Sequence, residues 1–252
     1  MKTLYYNADV LVGENGRYSV LKNAFLGVED SLFCYIGAEA PADDYDRKKD
    51  MRGKLLMPGL YNCHTHSPMV LLRGVGSGLP LNEWLFNAVF PIEDKLTPEV
   101  IKTGTDLAIT EMLAGGTVSF SDMYFFPIET VNCVLAAGMK ANISRTVQAF
   151  FLGDPDAPKR IDESVELFKA FHGAGAGRVL IDFSVHAEYT CNEETVANYA
   201  ALCSAHGGNM HIHLSETEKE HAACKEKYGK TPARWFYDLG AFDSRAFAAH
   251  CV

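Results

Sequence analysis

The stretch GLYNCHTHSP, residues 59–68, places His64 and His66 one residue apart directly behind the apolar run KLLMPGL. That run reads as a buried strand. Side chains alternate faces along a strand, so His64 and His66 point the same way and Cys63 points to the other side, as a packed thiol. Two imidazoles held on one rigid face can share a metal ion, each nitrogen reaching zinc at about 2.0–2.1 Å. A chance H-x-H is the alternative. The remaining histidines weigh against chance. His211 and His213 in NMHIHLSETE, His186 in FSVHAEY and His250 in FAAHCV also stand at the ends of apolar stretches. His172, His206 and His221 fall in helical patterns and read as surface residues.

The surrounding texture supplies the fold. Residues 1–56 read as short strands, TLYYNADVLVG, YSVLKNAFLGV and SLFCYIGA, divided by Glu14-Asn15-Gly16 and Glu29-Asp30, and are expected to form part of a small β-sandwich. From residue 57 onward, six candidate strands (LLMPGLYNCH, TVSFSDM, KANISRTV, RVLIDFSVH, NMHIHLS and FAAHCV) alternate with helical patterns. This is the texture of parallel βα units. Thr97-Pro98-Glu99 combines an N-cap, a proline and an acid, and starts a helix with Ile101, Ala108 and Met112 on one face. A second helix is expected from Asp162 to Gly173, and a third from a capping box of Thr190 and Glu193 to Gly207. The expected class is α/β, a (β/α)8 TIM-type barrel with about six of its strands present over residues 57–252. A closed barrel needs eight strands and typically ~250 residues, so the chain is expected to be the front of a longer protein.

Composition narrows the partner. The net charge of −9 and the absence of a Lys/Arg cluster argue against nucleic acid. No run reaches the ~18 apolar residues of a membrane span. The 7 cysteines lack a C-x-x-C pair and suit reduced thiols, which makes the cytoplasm the expected location. A small molecule is the expected ligand, and a homo-oligomer is left open.

GLYNCHTHSPMVLLRG, LNEWLFNAVFPIEDKLT, HIHLSETEKE and FAAHCV together resemble the amidohydrolase superfamily. The likeness is to its branch of purine and triazine deaminases and chlorohydrolases, and within that to the 5-methylthioadenosine/S-adenosylhomocysteine deaminases. The resemblance implies one divalent metal, zinc first, with iron or manganese as alternatives, held by His64, His66 and His213. It also implies Glu216 as the proton-shuttling acid and His250 as the histidine that orients the attacking water. The fourth ligand of such sites is an aspartate after the eighth strand, a segment absent from these residues. The implied substrate is a purine nucleoside that is deaminated at its adenine.

Substrate contacts follow from the same resemblance. Glu93 resembles the acceptor of ribose hydroxyls, against a helix-end acid as the alternative. Arg145 resembles the partner of the amino-acid carboxylate of S-adenosylhomocysteine, against a strand-end salt bridge, and Arg160 either assists it or sits in a solvated loop. His186 resembles a base-edge contact, and Trp84 either walls the pocket or packs. Two other functions stay open, a guanine or triazine hydrolase of the same superfamily and a barrel fragment without catalysis. His186-Ala187-Glu188 matches the H-x-E of zinc cytidine deaminases but lacks their P-C-x-x-C partner. The glycine-rich segments 74–78 and 173–177 lack GxGxxG spacing and read as loops.

Overall fold

Asn15 and Gly16 both take left-handed backbone, at φ 50° and 75°, and close the turn that Glu14-Asn15-Gly16 predicts. They join β1 (Lys2–Glu14) to β2 (Arg17–Glu29) as an antiparallel pair. The computed structural model describes residues 1–252, which divide into two units, Met1–Gly59 and Leu60–Val252. In the first, β3 (Leu32–Gly37) pairs with β2, while β4 (Arg47–Asp50) and β5 (Leu55–Leu56) run parallel to β1. This single five-stranded sheet buries Ala8, Val10, Ala24, Leu26 and Met51.

The second unit contains β6 (Leu60–Thr65), β7 (Thr117–Tyr124), β8 (Lys140–Val147), β9 (Val179–Val185), β10 (Met210–Leu214) and β11 (Ala246–His250). All six are parallel and hydrogen-bonded in chain order, with helices in the connections, the architecture of a nearly closed barrel. The period-2 pattern sorts their faces. Ala141, Ile143, Val179 and Ile181 pack outward against Val131, Val134 and Leu167 of the helical layer. Phe183, Val185, Met210 and Ile212 do the same with Val196, Tyr199, Trp235 and Phe236. The opposite parity leaves Ser144, Thr146, Ser184, His211 and His213 facing inward.

Three expectations change. The apolar run KLLMPGL is divided between β5 and β6. β6 is the edge of the sheet with β7 as its neighbour, so Leu60 and Tyr61 are 50% and 65% exposed rather than buried. The helix expected from Thr190 begins at Glu193 under Asn192, whose side-chain oxygen accepts from Thr195 N at 2.9 Å. Thr190 is spent elsewhere, since its hydroxyl accepts from Ala187 N and donates to Ala187 O. The helix expected from Asp162 starts earlier, at Ala157, because Pro158 suits its first turn. Thr97 does cap Pro98–Ala114, accepting from Val100 N.

Candidate active site

The histidines meet where the strands end. The ring centroids of His64 and His213 are 4.8 Å apart, and their Nε2 atoms are separated by 3.2 Å. His66, one residue beyond β6, has its ring 4.9 Å from His64 and 5.3 Å from His213. The turn that carries it is fixed by buried Asp122, which accepts from Thr65 Oγ1 at 2.8 Å and from Ser67 N at 2.6 Å. His64, His213 and His250 each offer a nitrogen within 4.8 Å of the others.

His250 reaches this cluster against its strand parity. It pairs with Leu214, an outward-facing position, yet its φ of 76° turns the ring inward to 5.4 Å from both His64 and His213. Ser215, at φ 49°, turns the chain after β10 in the same way and sends Glu216 into the cavity. Glu216 Oε1 lies 3.7 Å from His250 Nε2. Left-handed backbone at non-glycine residues is uncommon and concentrates at functional sites.

Tautomers follow from the partners. His66 Nδ1 donates to the Met123 carbonyl, and His213 Nδ1 donates to His186 O at 2.9 Å. Both rings therefore present a bare Nε2. His64 Nδ1 is 3.0 Å from Nε2 of buried His211, a histidine whose role the sequence did not suggest. Burial, aided by the neighbouring rings, pushes His64 down to about 3, and burial followed by His66 pushes His211 down to about 4. Burial lowers His66 and His213 as well. His64, His66 and His213 are neutral imidazoles, the latter two backed by carbonyls and His64 by His211, the donor set that a divalent transition metal takes. A cation also satisfies the two nitrogens that face each other at 3.2 Å.

A cavity of about 230 Å³ opens over the cluster. Leu81, Trp84, Leu85, Val89 and Phe90 wall one side, and Trp84 Nε1 donates to Val75 O at 2.9 Å. Glu93 accepts from the Tyr124 hydroxyl at 2.7 Å, and burial pushes its carboxyl up. His186 lines the cavity with Nδ1 3.0 Å from Thr190 Oγ1, and burial pushes its ring down to about 3. Tyr124, Thr146, Gln148 and Tyr189 also line it, and sequence reading missed them. Their signal was position, at or just past the ends of β7, β8 and β9.

The two arginines do not join this group. Arg145 shares its strand parity with Ile143 and Val147, so it points to the helical layer. There its Nε donates to Glu163 at 2.8 Å and its Nη1 to Thr146 O at 2.7 Å. It lines a separate hollow with Phe126, Ile128 and Phe171. Arg160 holds Gln148 O at 2.9 Å and Asp154 at 3.3 Å. For Arg145 the salt-bridge alternative describes the contacts, whereas Arg160 sits neither beside Arg145 in the cavity nor in a solvated loop but part-buried in helix Ala157–Phe171.

Known proteins share this arrangement of chain. The 5-methylthioadenosine/S-adenosylhomocysteine deaminase of Desulfitobacterium hafniense (strain Y51) is 38% identical over 231 residues, covering 90% of this chain and 53% of the relative. The 5'-deoxyadenosine deaminase of Methanosarcina mazei is 37% identical, covering 92% and 53%. The zinc-bound adenosine deaminase from Xanthomonas campestris superposes with a TM-score of 0.84 at 30% identity, over 98% of this chain and 57% of that one. The chain thus spans little more than half the length of these relatives. The sequence profile described as "Amidohydrolase family" matches residues 55–252, and the chain belongs to that family.

Proposed function

We propose that this chain forms the metal- and proton-handling part of a hydrolase that deaminates the adenine of a nucleoside, exchanging the C6 amino group for oxygen and releasing ammonia. His64, His66 and His213 hold one divalent cation, zinc by their neutral nitrogen donors. Bound there, the cation supplies the Lewis acidity that makes water nucleophilic near neutral pH. Glu216 takes one proton of the attacking water and delivers it to N1 of the purine. It then takes the second from the C6 hydroxyl and passes it to the amino group as the C6–N bond breaks and ammonia leaves. A carboxyl raised by burial serves both directions of that transfer. His250, within reach of Glu216, orients the water and the developing oxygen at C6.

The walls support a nucleoside with an uncharged 5′ substituent. Glu93, half-buried among apolar side chains, accepts ribose hydroxyls, and Trp84 and Phe90 face the base and its substituent. Arg145 is engaged by Glu163 outside the cavity, which favours methylthio- or deoxy-nucleosides over an amino-acid-bearing one. The observation that carries the proposal is the convergence of three neutral strand-end histidines with Glu216 and His250 on one cavity. Ammonia release from zinc-loaded protein given methylthioadenosine, 5′-deoxyadenosine, guanine and a chlorotriazine tests it. Turnover is expected on the first two, and Glu216→Gln is expected to keep the metal while losing about 10²–10⁴-fold in rate. Ammonia from guanine alone, or chloride from the triazine, would overturn the adenine assignment.

A further inference from the structure

Glu188 and Glu220 are both carboxylic acids and both buried, at 2% and 8% exposure. Glu188 lies in the turn Glu188–Thr190 after β9, which packs against helix Glu218–Tyr228, the helix that carries Glu220. Glu220 is the nearest-acting charged neighbour of the Glu188 carboxyl across this packing. Glu220 has one satisfied side. Glu220 Oε2 accepts from Glu216 N at 2.7 Å and from Thr217 N at 3.3 Å. Glu188 Oε2 and Glu220 Oε1 are buried without a hydrogen-bond partner.

Two ionised carboxylates cannot sit in contact away from water, whereas one proton between them satisfies both bare oxygens. We infer that Glu188 and Glu220 share a single proton, and that this acid pair latches the turn bearing Glu216 to the turn bearing His186 and Tyr189. Glu220 is then a positioning residue, since through the amide of Glu216 it sets where that side chain enters the cavity. Thr217 and Glu220 form a capping box, which explains the Thr217 contact but neither the Glu216 contact nor a buried second acid.

Burial first, then Glu220, pushes the Glu188 carboxyl up to about 8. The titratable neighbours are Glu216 and Tyr189 at the cavity wall and Cys224 one turn along the helix, with Lys227 beyond it. From helix Pro232–Asp238, Arg234 and Asp238 are engaged with each other. The consequence for catalysis rests on the proposed role of Glu216, but the acid pair does not.

Carbon-13 spectra of glutamate-labelled protein read the pair without turnover, so the deamination proposal and this one fail separately. At pH 7 one glutamate carboxyl is expected to stay protonated, and its signal is expected to vanish in Glu188→Gln. Every glutamate ionised at pH 7 would overturn the inference. Amide exchange at Glu216 and Thr217 gives the second reading. Glu188→Ala is expected to speed it about tenfold by leaving Glu220 Oε1 bare, and Glu188→Gln to restore protection by donating an N–H in place of the proton. A capping box acting alone predicts no change in either variant, and that result would also refute the latch.

Discussion

Nε2 of His213 lies 3.2 Å from Nε2 of His64, although 149 residues separate them along the chain. With His213 Nδ1 donating to His186 O, its Nε2 carries a lone pair aimed at the other ring. The contact is built by β6 and β10, which are not neighbours in the sheet, and it closes across the inside of the barrel.

Removal of that ring should break the proposed metal centre first. His213→Ala is expected to weaken zinc retention by at least about 100-fold, beyond what loss of a supporting hydrogen bond costs. Competition with a chromophoric chelator measures it, and unchanged retention would place the cation elsewhere.

The buried neutral histidines set an acid limit on the metal-free protein. An unfolded imidazole binds its proton near pH 6.5, while His64 and His186 stay neutral to about 3 and His211 to about 4. In that window the unfolded chain binds more protons, so stability is present above pH 6.5 and is lost as pH falls. The slope is at most roughly 1.4 kcal/mol per pH unit for each histidine. Urea unfolding at pH 7 and pH 5 should show a lower midpoint at pH 5, and equal midpoints would refute the assignment of neutral rings.

Packing near His66 offers a test remote from the chemistry. A Cβ on Gly104 would stand 2.6 Å from the carbonyl oxygen of Pro68 and 2.9 Å from its Cα. Backbone cannot swing aside as a side chain does. Gly104→Ala is expected to cost about 1–3 kcal/mol and to displace the turn that follows His66. A melt reads the first effect and zinc affinity the second. A variant as stable as the parent would contradict the close approach of helix Pro98–Ala114 to that turn.

Arg145 separates two substrate classes. Since its guanidinium is held by Glu163 on the helix side of β8, Arg145→Ala is expected to change kcat/KM for S-adenosylhomocysteine and methylthioadenosine by the same factor. Steady-state kinetics on both nucleosides decide. A selective loss on the carboxylate-bearing substrate, tens-fold or more, would show that Arg145 leaves Glu163 to meet it.

Local pattern determined much of this protein. Alternation and helix punctuation located the six parallel strands and the Thr97 cap, and the strand-end positions of His64, His186 and His213 pointed to the cavity. These features depend on residues a few positions apart, which a sequence displays directly. Parity also held the answer for Arg145, since Thr146 faces the cavity and its neighbour must face away. Only the tertiary structure decided the rest. His250 enters the cavity through a φ of 76° that its strand pattern does not encode. His211 acquires a role because packing across the inside of the barrel brings it to His64, and Glu188 and Glu220 are buried together where a turn and a helix pack. Such contacts arise from non-local closure and burial, which place distant residues at bonding distance and strip them of water.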